Sequence, residues 1–338
     1  MSEKYKPKNI KNTIKNIDTD NIHVRDIRNL INSDSITTDE LIKESKVLDK
    51  DILEKIKSYK DLDIDYNDWK DLPPLQKNRT DLYFFGQPGS GKTCILASLF
   101  YYAHQKGLIK DNQSNREGSK YRDTLINGVK KGILAEGTPT DGVNYIPLDL
   151  TNPTNKRIHP LNFIEMSGEK FVSAYKDGIK KDNIGANKYL KNNNRKLLFF
   201  VLDYLSFIKD EKSILSQDSM LQNVLTLLSN DNTLDKTDTI YLILSKSDMF
   251  PKGENQLDFA QEFVDMKLKN LKNNLKIIQK EHNNNFKIIL FPYSLGEIKF
   301  RGLLTNFDVT SPKNLIDWIC AYSFSEERNW WKKIIGIK

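Results

Sequence analysis

Asp81–Phe100 reads DLYFFGQPGSGKTCILASLF: an apolar run, a glycine-rich turn, then a second apolar run with helical spacing. Within it, Gly86-Gln-Pro-Gly-Ser-Gly-Lys92-Thr93 matches the pattern G-x-x-x-x-G-K-[ST] in full, and its flanks supply the strand and helix that its chemistry requires. Gly86, Gly89 and Gly91, with Ser90 among them, let successive backbone N–H groups turn inward around an anion. The helix behind them points its positive end at the same place. Lys92 is then expected to reach the β- and γ-phosphates of a nucleotide, and Thr93 to offer its hydroxyl to Mg²⁺. Cys94 follows directly and is expected as a small, half-buried helix residue beside the nucleotide, because no partner thiol is evident in the sequence.

Outward from this stretch, short β-branched or aromatic runs alternate with segments of helical period. VNYIPLDL (Val143–Leu150) and RIHPLNFIEM (Arg157–Met166) flank the turn-rich TNPTNK and predict an antiparallel hairpin. KLLFFVLDY, TIYLILSKSD and FKIILFPYS predict three further strands. Met220, Leu221, Val224, Leu225 and Leu228 form one helical face between them; Phe263, Val264, Leu268, Leu271, Leu275 and Ile278 form the next. Helices of this length between strands require parallel crossovers. The predicted fold is therefore α/β: a mostly parallel six-stranded sheet with one antiparallel strand and helices on both faces.

A small N-terminal helical segment, residues 1–79, precedes it. Val24, Ile27, Leu30 and Ile31 form one helical face there; Leu41, Ile42, Leu48, Ile52 and Ile56 form another, with Asp39 as its candidate N-cap. LPPLQKNRT (Leu72–Thr80) breaks any helix and links this segment to the main domain, residues 80–322. The polar stretch 110–136 reads as an insertion, residues 323–338 as a tail, and KNNNR at Lys191 and EHNNNF at Glu281 as surface loops.

Composition narrows the function classes. The chain has 338 residues, with 52 Lys and Arg against 45 Asp and Glu, a net charge of +7 that is modest for its length. No basic run interleaves with aromatics as single-strand binders require, so no nucleic-acid partner is expected. The two cysteines, Cys94 and Cys320, have no metal-binding spacing and fit a reduced, cytoplasmic setting. Neither an apolar leader segment nor a membrane-length apolar run is present in the sequence.

Base recognition must separate the nucleotide classes. At the end of the TIYLIL run stands Ser245-Lys-Ser-Asp248, and after the LNFI run stands Glu165-Met-Ser-Gly168. These resemble the [NT]-K-x-D and D-x-x-G elements of the Ras-like and translation-factor class of P-loop GTPases. The overall pattern is similar to divergent bacterial members of that class, including the double-GTPase type of defence systems. The resemblance implies GTP or GDP and Mg²⁺ as ligands and hydrolysis as the activity. It gives Asp248 the role of pairing with both donors of guanine, and lays the stem of Lys246 against the base. Ser245 stands where the class has Asn or Thr and keeps a hydroxyl with less reach. Glu165 stands for the Asp that holds Mg²⁺ through a water, displaced by about a bond length by its extra methylene. Gly168 would contact the γ-phosphate through its N–H. Glu169 follows where relatives carry a water-orienting glutamine, which predicts slow intrinsic turnover. Thr140, or else Thr138, corresponds to the threonine that closes on Mg²⁺ and the γ-phosphate. Ser294 and Leu295, in Tyr293-Ser-Leu-Gly296, correspond to the loop whose backbone N–H contacts guanine O6.

In heterotrimeric α-subunits an insertion at the place of 110–136 is a helical lid supplying an arginine, which makes Arg116 and Arg122 candidate arginine fingers; a solvated loop is the plain alternative. Trp330 and Trp331, beside lysines and isoleucines, could pack back on the domain, dock on a protein or touch a membrane. The resemblance implies an effector or regulatory protein as partner and leaves the oligomeric state open. A P-loop ATPase subunit of a multi-protein complex and a non-hydrolysing GTP-binding scaffold are the competing readings.

Overall fold

The computed structural model describes residues 22–32, 37, 39, 42, 49–62, 64, 66, 72–112, 114–135, 142–167 and 189–325. Its centre is a seven-stranded sheet in the order β2-β3-β4-β1-β5-β6-β7. The strands are β1 (Thr80–Phe85), β2 (Ile109–Asp111), β3 (Val143–Thr151), β4 (Ile158–Met166), β5 (Arg195–Asp203), β6 (Thr237–Ser245) and β7 (Lys287–Tyr293). β1 runs parallel to β4 and β5, and β5, β6 and β7 continue in parallel. β3 is antiparallel to β4, as the hairpin predicts, and also to β2. The expected fold class therefore holds, with seven strands in place of six. The added strand, β2, comes from the start of the stretch expected as an insertion; three residues are too few to show a period in sequence.

Side-chain alternation sends β1 to both faces. Leu82 and Phe84 join one core with helices α3 (Lys92–Gln105), α4 (Arg116–Lys130) and α9 (Thr310–Tyr322). Tyr83 and Phe85 join the other, with α6 (Glu211–Asn230), α7 (Gln256–Lys267) and α8 (Lys269–Glu281). Phe84, Phe199 and Tyr241 are register partners on adjacent strands, and their rings stack with centroids 4.6 Å apart at both steps. Each such buried side chain contributes about 1.5–3 kcal/mol of transfer free energy. The predicted face from Phe263 to Ile278 is two helices rather than one, because the chain breaks at Leu268 (φ −120°, ψ 35°) while keeping that leucine buried.

Near the chain start, α1 (Val24–Asn32) and α2 (Lys50–Ser58) pack with each other and with Ile133, Phe300 and Leu303. Asp49, not Asp39, caps the helix carrying Ile52 and Ile56: its carboxylate accepts from the Ile52 N–H at 2.8 Å. The nearer aspartate wins because a cap must lie within three residues of the N–H it accepts. Leu41 and Leu48 fall outside the described residues, as do Trp330 and Trp331. Among the described residues no helix is long and apolar enough to cross a membrane.

The KNNNR stretch is more than a surface loop. Asp81 is fully buried in β1, and its carboxylate accepts from the side-chain amides of Asn162 (2.7 Å), Asn194 (2.9 Å) and Asn192 (2.6 Å). Burial pushes its carboxyl above the usual carboxylate range despite those bonds. Lys196, also buried, donates to the carbonyls of Asn192 (3.0 Å) and Asn194 (2.8 Å), and burial pulls its ammonium down to about 8. A run of asparagines looks solvated in sequence; here it supplies the donors that a buried carboxylate requires. Asn194→Ala is accordingly expected to cost about 1–3 kcal/mol, seen as a thermal midpoint lowered by several degrees. An unchanged midpoint would mean that water replaces the amide at no cost.

Candidate functional site

The phosphate loop joins β1 to α3 at one end of the sheet. Gly89 (φ 75°) and Gly91 (φ 95°) adopt left-handed backbone, and Gly91 is the N-cap of α3. Gly86 is required by space: a Cβ there would lie 2.6 Å from the Val201 carbonyl oxygen and 2.7 Å from the Ser90 hydroxyl. Lys92 is buried, and its Nζ donates to the carbonyls of Gly86 (3.0 Å) and Gln87 (3.1 Å), so the ammonium lies across the loop it serves. Cys94 is half-buried, as expected; desolvation pushes its thiol up to about 11, which keeps it protonated and argues against a redox role.

Glu165 closes the loop from the side. It is fully buried near the end of β4, in register with Phe84 of β1 and Asn144 of β3. The Thr93 hydroxyl donates to its Oε1. The extra methylene relative to aspartate therefore brings the carboxylate into direct contact with the hydroxyl of the phosphate loop. These two hard oxygen donors suit Mg²⁺, which binds through one or two carboxylates together with phosphate oxygens and water. Among the described residues no group of three or more His, Cys, Asp or Glu side chains converges, and Thr93 and Glu165 are the candidate cation ligands that lie within them. The other oxygen of Glu165 accepts from the Tyr121 hydroxyl.

The loops that follow β6 and β7, expected to recognise the base, meet at the ends of those strands. Ser245, the last residue of β6, donates to the carbonyls of Ser90 (2.8 Å) and Leu202 (3.0 Å), so its hydroxyl does reach the phosphate loop. The short side chain suffices because the loops lie close together: a Cβ on Gly91 would stand 3.9 Å from that of Ser245. Lys246 takes a left-handed conformation (φ 61°), and its Nζ sits 2.8 Å from the Asp203 carboxylate. Asp203 also caps the short helix α5 (Tyr204–Lys209) through the Ser206 N–H. Asp248 is exposed, with Oδ1 accepting from the Ser294 hydroxyl at 2.9 Å. Ser294 in turn accepts from the Gly296 N–H (2.9 Å) and donates its own N–H to the Ser311 hydroxyl (3.1 Å), while Leu295 beside it is buried.

The structure thus gathers Gly86, Gly89, Ser90, Gly91, Lys92, Thr93, Ser245 and Glu165 around one loop, and joins Asp248 to Ser294. Thr138, Thr140, Gly168 and Glu169 lie outside the described residues. The insertion is neither a solvated loop nor a detached lid: α4 buries Tyr121, Leu125, Ile126 and Val129 beside α3 and β3. Arg122 is buried and pairs with Asp123 at 2.8 Å, while Arg116 is exposed in the first turn. Sequence reading missed Tyr121, Asp203 and Ser311. Tyr121, Leu125 and Val129 repeat at helical spacing inside an otherwise charged stretch, and that was the available signal for α4.

A second constellation invites a catalytic reading. Ser229 Oγ lies 2.9 Å from His282 Nε2, and His282 Nδ1 lies 2.7 Å from Asp235 Oδ1. Ser229 and His282 stand at the C-terminal ends of α6 and α8, where helix carbonyls concentrate negative charge. Acyl transfer needs N–H donors for an oxyanion, so this setting opposes it. The trio is a tie between two helix ends.

No family model and no curated protein matches the chain. Among solved structures, it is similar to the signal recognition particle receptor SRb-GTP/SRX complex from Chaetomium thermophilum, at 13% identity over 72% of this chain and 98% of that one, TM-score 0.44. It is also similar to Toc33 from Arabidopsis thaliana, at 15% identity over 72% and 83%, TM-score 0.39. A third is Methanosarcina barkeri Roco2 RocCORdC bound to GDP, at 14% identity over 80% of this chain and 56% of that one, TM-score 0.35. The sheet order, the phosphate loop between β1 and α3, and the convergence of Glu165 and both base-side loops on one end of the sheet give the chain the fold of a Ras-like G domain.

Proposed function

We propose that the chain binds GTP and hydrolyses it slowly in the presence of Mg²⁺, as a switch read by a protein partner. The observation that carries this reading is the contact between Asp248 and Ser294, which aims an exposed carboxylate from one base-side loop at the edge of the other. Guanine offers N1–H and its 2-amino group to such a carboxylate; adenine has no matching pair of donors.

Lys92 and the loop N–H groups would hold the β- and γ-phosphates, and Thr93 with Glu165 would hold Mg²⁺, which supplies charge neutralisation on the phosphate oxygens. Hydrolysis is then in-line attack of water, catalysed by positioning and charge. Glu169 would accept a hydrogen bond from that water, and its negative charge beside the triphosphate accounts for a slow rate. Thr140 and Gly168 belong to the segments whose state reports the γ-phosphate. A non-hydrolysing GTP-binding scaffold is the second reading, favoured by glutamate at both 165 and 169.

Calorimetry with GTP, GDP and ATP, followed by single-turnover phosphate release with and without Mg²⁺, tests both. Guanine nucleotides are expected to bind about 100-fold or more tightly than ATP, the span of about 3 kcal/mol that two hydrogen bonds to a charged group supply. Equal affinities would refute the guanine assignment. Tight GTP binding with no phosphate release, even when cell extract is added, would select the scaffold.

A further inference from the structure

We infer that Tyr121 is a positioning residue for the divalent cation, holding Glu165 in the orientation in which it faces Thr93. This rests on the reading of the site as one for Mg²⁺ and a guanine nucleotide. Glu165 is bonded at both oxygens, Oε1 by Thr93 from the phosphate loop and Oε2 by Tyr121 from α4. Thr93 and the Oε1 side of Glu165 would together hold a divalent cation, and the Tyr121 bond is made to the other oxygen, Oε2.

Glutamate carries one more rotatable bond than aspartate and presents a cation with a less defined oxygen. The phenol removes that freedom. A phenol keeps its proton at neutral pH, so the Tyr121 hydroxyl acts here as a donor.

The helix is seated for this contact. The Asn115 side chain caps α4 by accepting from the Gly118 N–H at 3.3 Å and donates to the Tyr145 carbonyl of β3 at 2.6 Å. Gly118 faces the same carbonyl so closely that a Cβ would lie 2.1 Å from it. One turn further along, Tyr121 arrives at Glu165, with Tyr66 against its ring at a centroid distance of 5.9 Å. Cap, glycine and phenol thus fix the helix to β3 and to the end of β4 at once, and a helix outside the phosphate loop contributes to cation affinity.

The test titrates free Mg²⁺, from EDTA to millimolar, against GDP affinity measured by calorimetry on the full chain. Tyr121→Phe keeps the packed ring and removes only the hydroxyl. It is expected to bind GDP in EDTA as the wild type does, yet to need about tenfold more Mg²⁺ to reach the tight state, the effect typical of losing an outer-shell partner of a metal ligand. Lys130→Ala, on the exposed side of the same helix, should leave the Mg²⁺ midpoint unchanged. Gly118→Ala, which pushes the helix off β3 while retaining the phenol, should raise it in the same direction. A wild-type midpoint in Tyr121→Phe overturns the inference and leaves the nucleotide reading standing. A wild type whose GDP affinity ignores Mg²⁺ overturns both. Should Tyr121→Phe lose affinity equally in EDTA, the phenol is a structural support only, and the inference fails.

Discussion

Lys92→Ala is expected to weaken GTP and GDP binding by about 100-fold or more with the fold intact. A charge-assisted hydrogen bond contributes about 1.5–3 kcal/mol, and an ammonium placed between two phosphates makes at least two. Their loss, about 3 kcal/mol at the low end, corresponds to two decades in the dissociation constant. The structure explains why the effect should be confined to binding. The Lys92 ammonium donates to the Gly86 and Gln87 carbonyls of its own loop, while its neighbour Ile95 anchors α3 in the core. Calorimetry with GDP, paired with a thermal melt, reads both consequences. Wild-type affinity in this variant would remove the loop from consideration as the phosphate site.

Asp248→Ala is expected to abolish discrimination between GTP and ATP. The loss falls on one nucleotide only. GTP forfeits two hydrogen bonds to a carboxylate, so its affinity should drop by roughly 100-fold or more. ATP forfeits nothing, because adenine turns an acceptor toward that position, and removing the carboxylate relieves a repulsion. The ratio of the two affinities is therefore the diagnostic quantity, insensitive to small changes in folded fraction. Ser294, which bonds Asp248, gives a graded version: losing its hydroxyl leaves the carboxylate in place with one orienting bond fewer. A ratio that survives Asp248→Ala would place guanine recognition elsewhere.

The phosphate loop was legible because its chemistry constrains its spelling: glycine takes the left-handed backbone of positions 89 and 91 without strain, and a side chain does not fit the crowding at 86. The sheet was legible because its strands are apolar runs in fixed alternation with helices. Two kinds of residue were not. Polar groups whose value lies in a distant partner, such as Asn194 for Asp81 and Ser311 for Ser294, look solvated in a linear reading. Tyr121 was hidden for a related reason. Its stretch is charged on the outward side and apolar at only a few spaced positions, so composition marked it as a loop while its period marked it as a helix. The fold arbitrated for the helix because the Tyr145 carbonyl of β3 lies where Gly118 has no side chain, and the Asn115 cap donates to it.

The seating of the N-terminal helices fixes an order of assembly. The Val24 N–H donates to the Phe300 carbonyl at 2.7 Å, and α1 and α2 share their small core with Phe300 and Leu303. Each helix has nine residues, too few to persist alone in water. The surface on which α1 and α2 settle is therefore supplied by residues that come much later in the sequence, and the two helices cannot pack there until Phe300 and Leu303 are in place.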